Sequence, residues 1–299
     1  MKAVGMDTPV IMRGIFYDKC ITFEFSHFLN PQSIYPSAKN LNTLYRSYYE
    51  NKQTLPPRRF IMLFFYIRHG DPIYNPDSLT PLGEAQANAL SKRFCTYGLD
   101  RVFSSPSNRA IQTAKPTCDL LKREITLCDW AEEGLAMRDF GVPHPVHGRT
   151  WCFYDQNLLR LFNSPEVRAL GDKWYEHPDL APYDFGRGVQ RVNQAVDEFF
   201  LSLGYRHDRE NTRYEIVNHT RERVALFAHQ GFGMCFFSSM LDIPYPFFAT
   251  HFDFGHSSMS VINFEARGGY VYPQMLQLSN DAHLYREGIL TGYHNAIKF

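Results

Sequence analysis

Two arginines and two histidines stand at or just beyond the ends of short apolar runs. Arg68 and His69 close one run, Arg109 lies shortly after a second, and His229 directly follows a third. Guanidinium groups match phosphoryl oxygens bidentately. A neutral imidazole can attack phosphorus, and a second, protonated imidazole can stabilise the transferring group. The four side chains therefore predict a phosphoryl-transfer centre in which fixed cations take the part that Mg²⁺ plays in kinases.

Phosphoryl transfer from an ester also requires a proton donor for the leaving alkoxide. Glu132 and Glu133 follow a short predicted strand at residues 125–128 and are the candidates for this role. The residue types and their spacing leave the choice between the two carboxyls open.

The elements that must position these residues alternate between strand and helix. Short continuous apolar runs, typical of strands buried on both faces, occupy residues 62–67, 101–104, 224–228 and 261–264. Helices are predicted from Thr80-Pro81, from residues 105–107, over 189–203 and from Gly231 to Leu241. The alternation predicts a three-layer α/β fold whose mostly parallel sheet has helices on both faces. Ligands bind outside the carboxyl ends of such strands, so we expect the four side chains to converge there.

The chain divides by character at Met62. Residues 1–61 lack a sustained helical or strand period, and we expect a poorly structured extension or translation from an upstream start, with Met62 as the true first residue. Residues 62–299 are predicted to form one domain. Within it, residues 134–187 look irregular and rich in Pro, Gly, His and Trp, and we interpret them as a lid insertion that sets the substrate.

Composition excludes several classes of protein. Lys plus Arg equal Asp plus Glu at 31 each, which argues against binding nucleic acid or membranes by bulk charge. No apolar run reaches the roughly 18 residues of a membrane helix. The six Cys show no metal-ligand spacing and are expected to be reduced thiols, which predicts a cytoplasmic protein without a bound metal or cofactor.

Four segments together resemble the histidine phosphatase superfamily, also called phosphoglycerate mutase-like. They are residues 67–70 (Ile-Arg-His-Gly), 79–87, 102–114 (which include Ser-Ser-Pro-Ser-Asn-Arg) and 227–231 (Phe-Ala-His-Gln-Gly). The resemblance covers about residues 62–283. It implies a phosphoglycerate mutase-like fold and a small phosphorylated substrate.

The resemblance also implies roles for single residues. His69 would be the nucleophile that becomes phosphohistidine, while Arg68, Arg109 and His229 would clamp the phosphoryl oxygens. Glu133, preferred over Glu132, would protonate the leaving group. The remaining substrate-binding candidates are Asn75, at the position where relatives carry a substrate-contacting Asn, and Gln230, where relatives usually carry Gly.

The expected function is metal-independent hydrolysis of phosphomonoesters. Residues 131–141 do not match the Glu-Arg-His-Tyr-Gly segment of cofactor-dependent phosphoglycerate mutases, which favours hydrolysis over isomerisation. Two alternatives remain: a mutase-type isomerase, and a catalytically silent protein that binds phosphate. The sequence specifies neither the physiological substrate nor the oligomeric state.

Overall fold

A computed structural model describes residues 61–218 and 220–292. The extension expected over residues 1–61 lies outside the described residues except for Ile61, which begins the first strand. The strands are β1 (Ile61–Arg68), β2 (Pro72–Tyr74), β3 (Asp77–Leu79), β4 (Arg101–Ser104), β5 (Ile125–Leu127), β6 (Gly141–His144), β7 (Gly148–Trp151), β8 (Tyr205–Asp208), β9 (Arg213–Ile216), β10 (Arg223–Ala228), β11 (Met259–Arg267), β12 (Tyr270–Val271) and β13 (Gln274–Asn280).

The α-helices alternate with these strands. They are α1 (Pro81–Tyr97), α2 (Asn108–Leu121), α3 (Glu133–Phe140), α4 (Gln156–Phe162), α5 (Pro165–Ala169), α6 (Phe185–Ser202), α7 (Gln230–Leu241), α8 (Tyr245–His251) and α9 (Ala282–Arg286). Helix α1 begins as predicted, because the Thr80 hydroxyl accepts a hydrogen bond from the Gly83 amide and Pro81 occupies the first helical position.

The central sheet is mixed. Its strand order is β5-β4-β10-β1-β11-β12-β9-β8, with β13 also paired to β11. Strands β5, β4, β10 and β1 form a parallel block, and β11 pairs antiparallel with β1. The predicted α/β fold is confirmed, and the parallel block contains the three strands that were predicted to end at the site.

Both faces of the sheet are covered by helices, so the three-layer arrangement is also confirmed. On one face, Phe64 and Tyr66 of β1 belong to a core that includes residues of α6 and α7. On the other face, Phe65 and Ile67 join a smaller core with residues of α1 and α2. Successive strand residues point to opposite faces, which explains the continuous apolar run of β1.

The register brings three strand ends to one edge. Arg68 of β1 pairs with Ala228 of β10, and Phe227 pairs with Ser104 of β4. The ladder continues one step further, where the His69 amide donates to the Ala228 carbonyl at 2.9 Å and the Ser105 amide donates to the Phe227 carbonyl at 2.9 Å. His69, Ser105 and His229 therefore leave the sheet side by side.

Residues 134–187 are more regular than the sequence suggested. They contain most of α3, the β6–β7 hairpin, α4, α5 and three 3₁₀ segments, Cys152–Tyr154, Gly171–Glu176 and Pro178–Tyr183. The short helices have local start signals: the Asp155 carboxylate accepts from two amides of α4, and the Ser164 hydroxyl caps α5. Helices of one or two turns are too short to show a helical apolar period, so the sequence gives little sign of them.

Within the described ranges, none of the helices combines the length and the apolar character needed to cross a membrane.

Candidate active site

Arg68, His69, Arg109 and His229 converge at the carboxyl edge of the parallel strands. The imidazole rings of His69 and His229 lie edge to face with centroids 5.2 Å apart. Arg109 Nη2 lies 3.2 Å from His229 Nδ1. All four residues are buried, with at most 9% of their surface exposed. The expected convergence is therefore present in the structure.

His69 is fixed in one tautomer. Its Nδ1 lies 2.7 Å from the Gly70 carbonyl, which can only accept, so Nδ1 carries the proton. Burial, followed by the charges of His229, Arg68 and Arg109, lowers the pKa of His69 well below its usual range. The ring is therefore neutral near pH 7, and its Nε2 lone pair is unprotonated.

His229 is also neutral near pH 7. Burial, then Arg109 and Arg68, lower the pKa of His229 well below its usual range. Its Nε2 lies 2.8 Å from the Ser105 hydroxyl, and its carbonyl accepts from the Tyr66 hydroxyl at 2.6 Å. The sequence predicts a protonated second imidazole at this position, but two buried arginines disfavour a third positive charge beside them.

Arg68 is held by the segment that precedes β11. Its guanidinium donates to the Phe254 carbonyl and lies 2.7 Å from His256 Nε2. The His256 ring lies 5.8 Å from the His69 ring, and its Nδ1 lies 3.5 Å from an Asp71 carboxylate oxygen. Burial, and then Arg68, lower the pKa of His256 to about 3, so it can accept from Arg68.

Arg109 is held by the β2–β3 hairpin. Its Nη1 donates to Asp77 Oδ1 at 2.7 Å, and its guanidinium lies 5.5 Å from the centroid of the Tyr74 ring. The other Asp77 oxygen accepts from the Asn108 amide at 2.7 Å, at the start of α2. In this state a carboxylate therefore occupies donors that a phosphoryl oxygen could use.

The two candidate acids differ in their surroundings. Glu133 Oε2 lies 3.1 Å from His229 Nδ1, and Oε1 accepts from the Gly231 amide at 3.1 Å. Glu132 precedes α3, and its carboxylate lies against Gly134. The geometry thus places Glu133, but not Glu132, in hydrogen-bond contact with the clustered residues.

The two further substrate-binding candidates lie at different distances from the cluster. Asn75 is exposed in the turn between β2 and β3, and within residues 61–218 and 220–292 no hydrogen bond joins it to the four clustered side chains. Gln230 is buried beside His229 and bonds to two neighbours, Tyr154 and Asp253. The structure therefore brings Gln230, but not Asn75, to the cluster.

Sequence reasoning missed several contributors. Neither His256 nor Asp77 is among the site residues predicted from the sequence, yet they hold Arg68 and Arg109 respectively. Asp77 lies two residues beyond Asn75, so the spacing argument reached the correct hairpin but chose its exposed tip. His256 precedes the antiparallel strand β11, whose start no parallel-strand argument brings to this edge.

The described part of the chain holds no group of three or more His, Cys, Asp or Glu side chains arranged to bind a metal ion. His144 and His147, the one pair with a suggestive sequence, stack at 4.8 Å in the β6–β7 hairpin.

One segment of the chain matches a known family model. A sequence model of the histidine phosphatase superfamily (branch 1) matches residues 64–149, which contain Arg68, His69, Arg109 and Glu133. A curated protein of Hydrogenobacter thermophilus, named "Putative phosphoserine phosphatase 2", is 24% identical over 152 residues. That match spans 48% of this chain and 67% of the relative.

Two solved structures match this chain at low identity and with TM-scores below 0.5. A phosphoserine phosphatase from Entamoeba histolytica, in complex with 3-phosphoglyceric acid, has 19% identity and a TM-score of 0.48, covering 75% of this chain and 99% of its own. A mycobacterial glucosyl-3-phosphoglycerate phosphatase has 16% identity and a TM-score of 0.46, covering 73% and 99%.

The matched segment contains the first histidine, both arginines and Glu133, and the fold brings His229 to them. Residues 64–149 of this chain are therefore similar to the histidine phosphatase superfamily.

Proposed function

We propose that this phosphatase hydrolyses small phosphomonoesters through a phosphohistidine on His69, without a metal ion. The observation that carries the proposal is the tautomer of His69. Its Nδ1 proton is committed to the Gly70 carbonyl, so the unprotonated Nε2 is left as a nucleophile beside Arg68, Arg109 and His229.

In the first step the substrate's phosphoryl group displaces Asp77 from the donors of Arg109 and Asn108. His69 Nε2 attacks phosphorus in line, the N–P bond forms, and the bond between phosphorus and the alkoxide oxygen breaks. Arg68, Arg109 and the imidazole of His229 stabilise the negative oxygens of the transferring group. Glu133 gives its proton to the leaving oxygen, and the alcohol departs.

In the second step the Glu133 carboxylate takes a proton from water, whose oxygen attacks phosphorus. The N–P bond breaks, inorganic phosphate is released, and His69 returns to its neutral form. Glu133 regains the proton that it lost in the first step, so the cycle balances.

The contact between Glu133 and His229 supports this assignment. An Oε2–Nδ1 distance of 3.1 Å is favourable only with a proton between the two atoms. Arg109 Nη2 also lies 3.2 Å from His229 Nδ1 and can only donate, which favours an unprotonated Nδ1. Glu133 is therefore the partner that we expect to carry the proton, and the proposal includes a protonated carboxyl at the site before substrate arrives.

Two expectations about surroundings belong with this proposal. Residues 134–187 act as the lid, since Trp151 lies against Gly231 and Tyr154 reaches Gln230. A cytoplasmic location is supported by the five described cysteines, which are all free thiols: Cys95, Cys118, Cys128, Cys152 and Cys235.

Release of inorganic phosphate from phenyl phosphate tests the proposal. We expect turnover by the wild-type chain in excess EDTA, its loss in His69→Ala, and its retention in the control His147→Ala, whose imidazole lies in the exposed hairpin turn. Activity that EDTA abolishes and a divalent metal restores would refute the account. Interconversion of phosphoglycerates without phosphate release would instead identify an isomerase, and phosphate binding without turnover would identify a silent binding protein.

A further inference from the structure

A row of three side chains borders the phosphoryl cluster on the side of Arg68. The Tyr154 hydroxyl donates to Gln230 Oε1 at 3.3 Å, and Gln230 Nε2 donates to Asp253 Oδ1. Asp253 Oδ1 also accepts from the Phe254 amide at 2.6 Å. The row joins the expected lid to the residue that follows His229 and to the loop before β11.

The row is close to the phosphoryl clamp. Phe254, the neighbour of Asp253, supplies the carbonyl that holds Arg68. Arg68 interacts electrostatically with Asp253, Tyr154 and Tyr74. Tyr154 is 44% exposed and Tyr74 is 66% exposed, so both side chains reach the protein surface near Arg68.

The Asp253 charge is not neutralised by a salt bridge. Within the described ranges, 61–218 and 220–292, no Lys, Arg or His nitrogen lies within 4.0 Å of its carboxylate. It is partly exposed, and its Oδ1 is bound by an amide and a backbone N–H, both neutral donors. A group on the substrate that reached this row would therefore meet a negative charge.

Four arginines of the lid and of helix α6 are engaged elsewhere. Arg138, Arg187 and Arg191 all pair with the buried carboxylate of Asp139. Arg149 binds backbone carbonyls around the end of α3. None of these four is placed to receive a second anionic group on the substrate.

We propose that the row Tyr154–Gln230–Asp253 makes the site selective for phosphomonoesters whose alcohol is uncharged or positively charged, and that it rejects a second anionic group near the ester. This inference rests on the proposed function. The phosphoryl group itself uses both arginines, and a carboxylate or second phosphate on the alcohol would then face Asp253, with none of the four arginines named above placed to pair with it. Two like charges about 8 Å apart, at an effective dielectric constant of about 30, reduce binding by about tenfold.

Two matched pairs of substrates test the proposal on the full chain. Glycerol 3-phosphate and 3-phosphoglycerate differ only by a hydroxymethyl group in place of a carboxylate, and propyl phosphate and phosphoethanolamine differ only by a methyl in place of an ammonium. We expect kcat/KM for glycerol 3-phosphate to exceed that for 3-phosphoglycerate by about tenfold or more. We expect phosphoethanolamine to be at least as good a substrate as propyl phosphate.

A charge-removing variant then assigns the effect to Asp253. Asp253→Asn keeps an oxygen that can accept from Gln230. It should reduce the ratio of kcat/KM for glycerol 3-phosphate to kcat/KM for 3-phosphoglycerate by about threefold or more. The matched control is Glu210→Gln, which removes one negative charge from the exposed turn Arg209–Asn211 and should leave the ratio unchanged. An equal change in both variants would mean that overall charge, not the row, sets the ratio, and would overturn the assignment.

Failure of this inference is distinguishable from failure of the proposed function. Wild-type protein that releases phosphate from phenyl phosphate but prefers 3-phosphoglycerate, or treats the two members of the first pair equally, contradicts the selectivity alone. Protein that releases phosphate from none of these esters contradicts the proposed function. The wild-type ratio decides the first question even if a variant does not fold.

Discussion

The proposed nucleophilicity of His69 rests on what its two ring nitrogens face. The Gly70 carbonyl holds the proton on Nδ1, while burial and nearby positive charge keep the pKa of the ring low. His256 and the Phe254 carbonyl both accept from the Arg68 guanidinium and so fix it beside His69.

Replacement of Glu133 tests the proton donor. Glu133→Gln should lower kcat for an alkyl phosphate by about 10²-fold or more, because a poor leaving group depends on general acid catalysis. The effect on the first step should be much smaller for p-nitrophenyl phosphate, whose leaving group needs no proton. Burst and steady-state kinetics with both substrates provide the measurement.

Glu132→Gln is the matched control for this experiment. Its carboxylate lies against Gly134 and not against His229, so we expect rates near those of the wild type. A larger loss in Glu132→Gln than in Glu133→Gln would reverse the assignment of the acid.

The four principal residues could be predicted because each stands beside a strand end that the sequence marks by an apolar run. Asp77, His256 and Asp253 could not be, because they reach the site from a hairpin and from the loop before an antiparallel strand. The position of such loops depends on tertiary packing, which cannot be predicted from the local pattern of apolar and polar residues. The choice between Glu132 and Glu133 likewise depended on which carboxyl faces His229.

At the scale of elements, the parallel block β4-β10-β1 fixes the site and the lid elements border it. Helix α7 starts at Gln230, directly after His229, and its second residue is Gly231. A Cβ atom built on Gly231 would lie 2.1 Å from the Trp151 ring at the end of β7. Glycine is thus required there because the lid packs onto the start of the helix.

Gly231→Ala tests this packing. We expect it to lower the free energy of unfolding by about 1–3 kcal/mol through overpacking, and to reduce kcat/KM by displacing Trp151. Urea unfolding and steady-state kinetics measure the two effects. In a Trp151→Ala background, Gly231→Ala should lower the free energy of unfolding by much less. If the two substitutions were instead additive in the double variant, the contact between Gly231 and Trp151 would be contradicted.

The lid shows where prediction from sequence ends at this scale. The long elements α1, α6 and β10 were visible because their apolar patterns extend over several turns or a full buried strand. Helices α4 and α5 have 7 and 5 residues, too few for a period, and their formation depends on capping by Asp155 and Ser164. The sequence predicts only one strand on the antiparallel side of the sheet, because only one of the strands there has a continuous apolar run.

At the scale of the whole molecule, a second buried polar cluster lies apart from the phosphoryl site. His207 of β8 contacts Asp197 of α6 through Nδ1 and Asp242 after α7 through Nε2, each at 2.9 Å. Arg209 also binds both carboxylates. Burial opposes the charged form, but the hydrogen bonds to Asp197 and Asp242 raise the pKa of His207 above its ordinary value.

This cluster predicts a pH dependence of stability. Because folding raises the pKa of His207, the protonated side chain stabilises the folded state. This stabilisation is fully present below the pKa of His207 in the unfolded chain, about 6.5, and it is lost as the pH rises through the pKa of His207 in the folded protein. His207→Gln should therefore destabilise the protein more at pH 6 than at pH 9. Urea denaturation at both values measures the difference, and a cost that grows toward pH 9 would contradict the charged His207.

The most direct test of the account is to trap and locate the phosphorylated residue. Glu133→Gln is mixed with p-nitrophenyl phosphate, quenched in alkali, and mapped by mass spectrometry, since loss of the general base should slow the second step and let the intermediate accumulate. The account predicts a burst of about one nitrophenolate per chain and an acid-labile phosphoryl group on His69. Phosphorylation of another residue, or a burst that persists in His69→Ala, would contradict it.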